Sequence, residues 1–177
     1  IARFQWLGQQ DYYLSTSRLA SYKRLDIIVS AFVQMPDKKL VVTSGGSELK
    51  RLKRLAKGAA NIQFTAWLEE HELMTLMGNC IATIYIPIDE DFGMSPVESM
   101  AAGKPVIGVQ EGGLLETVVP NETGILLPAN PSKADLIEAV RSLSAEAALS
   151  MRAACEQRSK LFSKEIFIEK IKKVLAD

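Results

Sequence analysis

The stretch that decides the fold is Cys80-Ile81-Ala82-Thr83-Ile84-Tyr85-Ile86, followed closely by Asp89-Glu90-Asp91-Phe92-Gly93-Met94-Ser95-Pro96-Val97-Glu98. The first part is apolar without alternation, which is typical of a strand that is buried on both faces of a sheet. In the second part, Ser95, Pro96 and Glu98 have the spacing of a helix start with a capping box. A buried strand that leads directly into a helix predicts a parallel sheet covered by helices.

The same alternation of strand and helix extends in both directions from this stretch. Six apolar runs are predicted strands: Tyr12–Thr16, Lys39–Thr43, Asn61–Phe64, Cys80–Ile86, Pro105–Val109 and Gly124–Leu127. Helical periodicity lies between them, and it continues after the sixth in Lys133–Leu143, Ala145–Lys160 and Lys164–Leu175, with Ser132 and Ser163 as N-caps. We therefore expect a doubly wound, Rossmann-like α/β fold. It has a six-stranded parallel sheet with helices on both faces, and residues 1–177 form one domain.

The composition is that of a globular protein with a core of ordinary size. Of the 177 residues, 47% are apolar and 24% are charged, and 21 basic residues balance 21 acidic ones, which argues against a nucleic-acid partner. No apolar run approaches the roughly 20 residues that span a bilayer. Cys80 and Cys155 lack metal-ligand spacing, so a reducing cytoplasm is the expected location. The basic run from Lys50 to Lys57 leaves peripheral association with the inner face of the membrane open.

Ligands of such sheets bind beyond the carboxyl ends of the strands, so the strand-to-helix loops are the candidate site. Arg18 and Lys23 follow the first strand, where they would neutralise a diphosphate or simply be solvated. Gly45 and Gly46 follow the second strand, where they would admit a ligand or simply form a tight turn. Trp67, after the third strand, would border a base pocket or pack into the core.

The loop after the fourth strand is the most informative of these loops. It contains Glu90, and eight positions later Glu98 lies in the first turn of the predicted helix. Gly93 and Met94 lie between them, so their amides can face a ligand near the helix start. The loop after the fifth strand carries a further glycine pair, Gly112–Gly113, and places a second helix start at the same edge.

Three chemical interpretations of this loop remain open from the residues alone. Glu98 can serve only to cap its helix. Asp89 and Asp91 can hold a divalent metal beside a diphosphate, and Glu90 with Glu98 can form a hydrolytic pair, although capping would occupy Glu98. His71 is the only histidine, and its place in the exposed first turn of a helix favours a structural role.

The segment from Glu90 to Glu98 resembles the two-glutamate motif of the family-four retaining glycosyltransferases, which have the GT-B fold. The resemblance runs from about Asp11 to about Val174. It includes further ordered motifs at Arg18 with Lys23, Ser99–Ile107, Glu111–Gly113, Glu116–Val118 and Asn121–Gly124. The sequence departs from the family at Ser44 and Ala66, where glycine is frequent.

The resemblance implies a role for each matching residue. Glu90 would hold hydroxyls of the donor sugar, Glu98 the ribose hydroxyls, and Arg18 with Lys23 the diphosphate. Further contacts with the sugar, its phosphates or the nucleotide would come from Gly45, Gly46, Trp67, Phe92, Gly93 and Met94. It implies no metal and no cofactor besides the nucleotide-sugar donor itself.

The resemblance also suggests a donor and a missing partner domain. Glu90–Gly93 together with Asp11–Leu14 is most similar to bacterial mannosyltransferases that use GDP-mannose to build surface polysaccharides, and UDP-linked sugars remain open. This chain would be the C-terminal, donor-binding half, with a glycan or lipid-linked acceptor bound by an N-terminal half. The alternatives are a non-catalytic nucleotide-sugar-binding module and a related GT-B epimerase or phosphorylase.

Overall fold

The computed structural model describes residues 3–176 and contains one six-stranded parallel sheet. Its strands are β1 (Tyr13–Ser15), β2 (Leu40–Val42), β3 (Ile62–Phe64), β4 (Thr83–Ile84), β5 (Val106–Val109) and β6 (Gly124–Leu127). The helices are α1 (Leu25–Val33), α2 (Leu49–Leu55), α3 (Glu70–Asn79), α4 (Met94–Ala101), α5 (Leu114–Thr117), α6 (Lys133–Ser142), α7 (Ala145–Ser150), α8 (Arg152–Lys160) and α9 (Lys164–Ala176). A short 3₁₀ helix, Ser21–Lys23, precedes α1.

The strand order is β3-β2-β1-β4-β5-β6, and every pairing is parallel. The order reverses between β1 and β4, because the chain first winds outward through β2 and β3 and then returns to the other side of β1. At such a switch point a ligand crevice is expected at the carboxyl edge of the sheet, beside the loops that leave β1 and β4. The predicted doubly wound fold is therefore confirmed, and the crevice is where a ligand site is expected.

Neighbouring residues of β1 point into different cores, as they must when both faces of a sheet are covered. Tyr13 belongs to the larger cluster and packs edge-on against Phe32 of α1, with ring centroids 5.7 Å apart. Leu14 belongs to a smaller cluster with Val41 of β2 and Met77 of α3. The predicted helices on both faces are thus present, and the central strands are buried as their apolar sequences require.

Two of the predicted boundaries within the helical region are confirmed and one is wrong. The Ser132 hydroxyl accepts a hydrogen bond from the amide of Asp135, and the Ser163 hydroxyl accepts one from Ile166, as N-caps do. The single predicted helix from 145 to 160 is instead two helices, α7 and α8, which meet at Met151. The sequence carries no glycine or proline there to mark the break.

The last helix, α9, leaves much of its apolar surface exposed to solvent. Phe167, Ile171, Val174 and Leu175 are all exposed. Within residues 3–176, none of the helices is both long enough and apolar enough to span a membrane.

Candidate functional site

The crevice between β1 and β4 brings together two residues that lie 67 positions apart in the sequence. Lys23 ends the 3₁₀ helix after β1, and Glu90 lies in the loop after β4. Lys23 Nζ is 2.7 Å from Glu90 Oε2, and the two side chains are only 15% and 21% exposed. Lys23, which is predicted to bind phosphate, thus forms a half-buried ion pair with Glu90, which is predicted to bind the sugar.

Tyr85, immediately after β4, completes this pair as a third member. Its hydroxyl donates to Glu90 Oε2 at 2.5 Å and accepts from Lys23 Nζ at 3.0 Å. Lys23 Nζ also lies 5.0 Å from the Tyr85 ring centroid and 5.1 Å from that of Tyr22, within range of a cation–π interaction. Sequence analysis missed Tyr85, because a tyrosine within an apolar strand is indistinguishable from a core aromatic.

The hydrogen bonds of this cluster set the charge of its members. Burial alone would raise the pKa of Glu90, but the hydrogen bonds from Lys23 and Tyr85 outweigh burial and hold that pKa below its ordinary value. Burial first, and then the hydrogen bond to Glu90, raise the pKa of Tyr85 above its ordinary value. At neutral pH the cluster therefore consists of an anionic carboxylate and a phenol that still carries its proton.

The predicted capping box at Ser95 is wrong, and the error changes the interpretation of Glu98. Helix α4 begins one residue before Ser95, at Met94, and its N-cap is Gly93 with φ of 82°. Glycine adopts this left-handed conformation without steric cost, so the chain can enter the helix earlier than the serine signal indicates. Glu98 therefore does not cap the helix.

The Glu98 side chain, which does not cap the helix, is half-buried and forms no hydrogen bond within residues 3–176. Burial raises its pKa above the ordinary value, in the direction opposite to Glu90. A carboxylate in this state gains from any ligand that donates hydrogen bonds to it, and a ribose hydroxyl is such a donor.

The loop after β5 holds the backbone of the Glu90 loop in place. The Gly113 amide donates to the Glu90 carbonyl at 2.8 Å. A Cβ on Gly112 would overlap that same carbonyl, and a Cβ on Gly113 would overlap the backbone of Phe92. The glycine pair is therefore required because two main chains lie against each other, and this contact fixes the backbone at Glu90.

A similar contact joins the loops after β1 and β2. The Leu19 amide donates to the Gly45 carbonyl at 3.0 Å, and a Cβ on Gly46 would overlap the Leu19 carbonyl. A Cβ on Gly45 would meet open space instead, so Gly45 is the member of the pair with a free face. Ser44 has φ of 80°, a conformation that suits the glycine frequent in the family at this position.

The remaining predicted contacts lie at the surface around this edge. Arg18 is exposed and makes no ion pair within the part of the chain that the structure describes. Trp67 is 80% exposed, which contradicts packing into the core, and it borders a cavity of about 90 Å³ together with Thr43 and Ser44. Phe92 packs edge-on against Phe162 at a centroid distance of 5.7 Å. The side chain of Met94, the first residue of α4, is exposed.

The sequence analysis also considered a histidine, two cysteines and a pair of aspartates, and their side chains do not join this cluster. His71 is exposed in the first turn of α3, as predicted. Cys80 and Cys155 are buried free thiols whose pKa burial raises to about 12. Between residues 3 and 176, no three histidine, cysteine, aspartate or glutamate side chains, Asp89 and Asp91 included, are close enough together to hold a metal ion.

The fold and the position of this cluster are those of the α/β proteins whose ligand sites lie at the switch point of a parallel sheet. The chain belongs to the glycosyl transferases group 1 family, whose model matches residues 2–162. It is 34% identical over 161 residues to the alpha-1,3/1,6-mannosyltransferase of Dictyostelium discoideum, covering 77% of this chain and 38% of that protein. It is 30% identical over 135 residues to the GDP-mannose-dependent alpha-(1-6)-phosphatidylinositol monomannoside mannosyltransferase of Mycolicibacterium smegmatis, covering 68% of this chain and 35% of that protein.

Solved structures agree on the fold. Sucrose-phosphate synthase from Thermosynechococcus elongatus superposes with a TM-score of 0.84 at 23% identity, over 94% of this chain and 45% of that one. Anabaena HepE, solved with UDP and glucose, superposes with a TM-score of 0.81 at 21% identity, over 96% of this chain and 49% of that one. The chain thus spans about a third to a half of the proteins it matches. Membership in a transferase family favours binding roles for Glu90 and Glu98 over a hydrolytic pair.

Proposed function

We propose that the chain is the donor-binding domain of a retaining glycosyltransferase. The observation that carries this proposal is the contact of 2.7 Å between Lys23 and Glu90. In a nucleotide sugar the anomeric carbon is bonded directly to a phosphate oxygen, so groups that recognise the sugar and groups that recognise the phosphate must adjoin. A cation and a carboxylate that meet at the switch point satisfy this requirement.

The charges around the crevice suit the departure of a nucleoside diphosphate. Breaking the bond between the sugar and the phosphate builds negative charge on the leaving oxygen, which fixed positive groups stabilise. A lysine has three N–H donors, and Lys23 uses two of them on Glu90 and Tyr85, which leaves one for a phosphate oxygen. The exposed Arg18 and the free amides at the start of α4 supply further positive groups, and we propose that these groups stabilise the leaving diphosphate.

Mannose from GDP-mannose is the donor we propose. Both curated relatives described above are named as mannosyltransferases, and one is named as dependent on GDP-mannose. A UDP-linked sugar is the second candidate, because Anabaena HepE was solved with UDP and glucose. In either case Glu98 binds the ribose, while Gly45 and the cavity beside Trp67 and Ser44 receive the base.

The acceptor is proposed to be a glycan or a lipid-linked glycan, bound by a further domain of the protein. The Mycolicibacterium relative is named for an acceptor that is a phosphatidylinositol derivative. The exposed cations Lys50, Lys53, Arg54 and Lys57, on and just after α2, suit peripheral contact with an anionic membrane from the cytoplasmic side.

Isothermal titration calorimetry of the chain with GDP-mannose, GDP, UDP-glucose and UDP tests the donor proposal. We expect one nucleotide and its sugar to bind, and we expect Glu98→Ala and Arg18→Ala each to weaken both. Gln34→Ala is the control and should bind as the parent chain does, because Gln34 is exposed at the end of α1 and so lies at the opposite edge of the sheet. Absence of binding to all four ligands would overturn the proposal. Sugar transfer by the whole protein would separate a transferase from a non-catalytic module.

A further inference from the structure

We infer that Tyr85 is a positioning residue that sets the Glu90 carboxylate and the Lys23 ammonium for the donor sugar, an inference that rests on the proposed function. The three groups form a closed ring of hydrogen bonds. Lys23 donates to Tyr85, Tyr85 donates to Glu90, and Lys23 also donates to Glu90. Because Lys23 donates to the phenol, it polarises that hydroxyl and strengthens the hydrogen bond from Tyr85 to Glu90.

Both side-chain donors in the ring hold the same oxygen of Glu90. Both side-chain hydrogen bonds end on Oε2, at 2.5 Å from Tyr85 and 2.7 Å from Lys23. Oε1 receives neither of them. Because two side-chain donors hold this oxygen and the Gly93 amide is a further donor to the carboxyl group, the orientation of the carboxylate is restricted.

Tyr85 is the only member of the ring whose backbone belongs to the sheet ladder. Its amide donates to the Ile107 carbonyl of β5 at 2.8 Å, and its side chain is 6% exposed. Lys23 ends a short 3₁₀ helix and Glu90 lies in a loop. The Gly113 amide holds the backbone of Glu90 but not its side chain, so the phenol acts as the fixed point against which both charged side chains are aligned.

Loss of the hydroxyl alone should therefore change the site in a specific way. In Tyr85→Phe the ring and its cation–π contact with Lys23 remain, and Lys23 can still reach phosphate. Glu90 loses one of two donors on Oε2, so recognition of the sugar should suffer while recognition of the free nucleotide does not. The charged and titratable groups around the phenol are Lys23, Glu90, Tyr22 and Glu98.

Removal of the phenol should also alter the titration of Glu90. Tyr85 is one of the donors that lower the pKa of Glu90 against the opposing effect of burial. Without it that pKa rises, so loss of sugar binding on acidification should begin at a higher pH. If Tyr85 had only a structural role, its removal would not change the pH at which sugar binding is lost, which is the acid limb of the binding profile.

A matched control is available on the other face of the sheet. Tyr12 is 8% exposed, and its hydroxyl donates to the Leu76 carbonyl at 2.8 Å. Tyr12→Phe thus removes a buried phenolic hydrogen bond of similar geometry that does not touch Lys23 or Glu90. The two variants separate loss of a hydrogen bond in general from loss of this one.

The experiment is calorimetric titration of the chain, Tyr85→Phe and Tyr12→Phe with GDP-mannose, GDP, UDP-glucose and UDP, from about pH 3 to 8. For the nucleotide sugar that the parent chain binds, Tyr85→Phe should lower affinity about 5- to 20-fold, as expected for a hydrogen bond to a charged group. Affinity for the matching nucleotide should change less than about twofold, the acid limb of sugar binding should move upward, and Tyr12→Phe should change none of these values.

Each outcome bears on one proposal or on both. Equal losses for the sugar and the free nucleotide, or an unmoved acid limb, would overturn the role of Tyr85 and leave the donor proposal standing. If the parent chain binds none of the four ligands while melting cooperatively, the proposed function fails, and the inference fails with it.

Discussion

The two ends of the proposed donor site are built differently. At the sugar end, Lys23, Tyr85 and Glu90 are half-buried or buried and are joined by three hydrogen bonds before any ligand arrives. At the base end, Gly45 faces open space and Trp67 is 80% exposed beside a small cavity. In the proposed donor site the fold therefore preorganises the groups at the sugar end and leaves the base end to be completed by the ligand.

The largest effect should follow from disturbing the backbone contact that holds the sugar end. Gly112→Ala places a Cβ against the Glu90 carbonyl and also keeps a left-handed residue at φ of 54°. We expect a loss of about 3 kcal/mol or more in unfolding free energy, combining overpacking with strain, together with loss of donor binding. Urea denaturation and calorimetry measure the two effects.

Gly58→Ala is the matched control for that substitution. Gly58 also has a positive φ, 87°, but a Cβ there would meet nothing within 4 Å. Strain alone should cost about 1–2 kcal/mol, and donor binding should be unchanged. Equal costs for the two variants would mean that the close approach to Glu90 contributes nothing.

An intermediate effect should distinguish the two carboxylates. Glu90→Gln should weaken binding of the nucleotide sugar about 10- to 100-fold and leave the free nucleotide nearly unaffected, because it removes the charge that Lys23 and Tyr85 align. Glu98→Gln should weaken both ligands by the same factor, since the ribose is common to them. Dissociation constants for the sugar and the nucleotide, measured side by side, check this. A uniform loss in Glu90→Gln would contradict the division of the site into two ends.

The smallest effect should come from a substitution that removes backbone strain at the base end of the proposed site. Ser44 has φ of 80°, so Ser44→Gly removes backbone strain and should stabilise the chain by about 0.5–1 kcal/mol. Asn121→Gly, at φ of 64°, is the control and should gain less because asparagine tolerates this conformation. Thermal melting of both variants checks the difference, and a destabilised Ser44→Gly would contradict it.

The fold was predictable because most positions in the strands of this doubly covered sheet are apolar, and that pattern is local. The start of α4 was not, because Gly93 and Ser95 are both acceptable helix starts in isolation. Packing of the Phe92 backbone against Gly113 comes from a distant part of the chain, and such contacts decide between starts of this kind.

In the candidate site, too, local patterns predicted single residues, whereas their contacts depend on distant parts of the chain. Glu90 and Lys23 could be proposed separately from their motifs, but their contact depends on the strand order that places β1 beside β4. Tyr85 gave no signal because its hydroxyl is functional only in relation to those two residues. Contacts between residues on two sides of a switch point depend on the strand order, which local sequence patterns do not reveal.

The contact of Gly112 and Gly113 with the loop after β4 has a consequence for how this site can change over evolutionary time. Main-chain atoms, rather than side chains, determine where the Glu90 backbone lies. Substitutions at the exposed side chains of Asp91 and Phe92 can therefore alter the shape and polarity presented to a sugar without displacing the carboxylate. A scaffold of this kind is free to diversify its substrate preference at neighbouring positions while one anchoring group keeps its place.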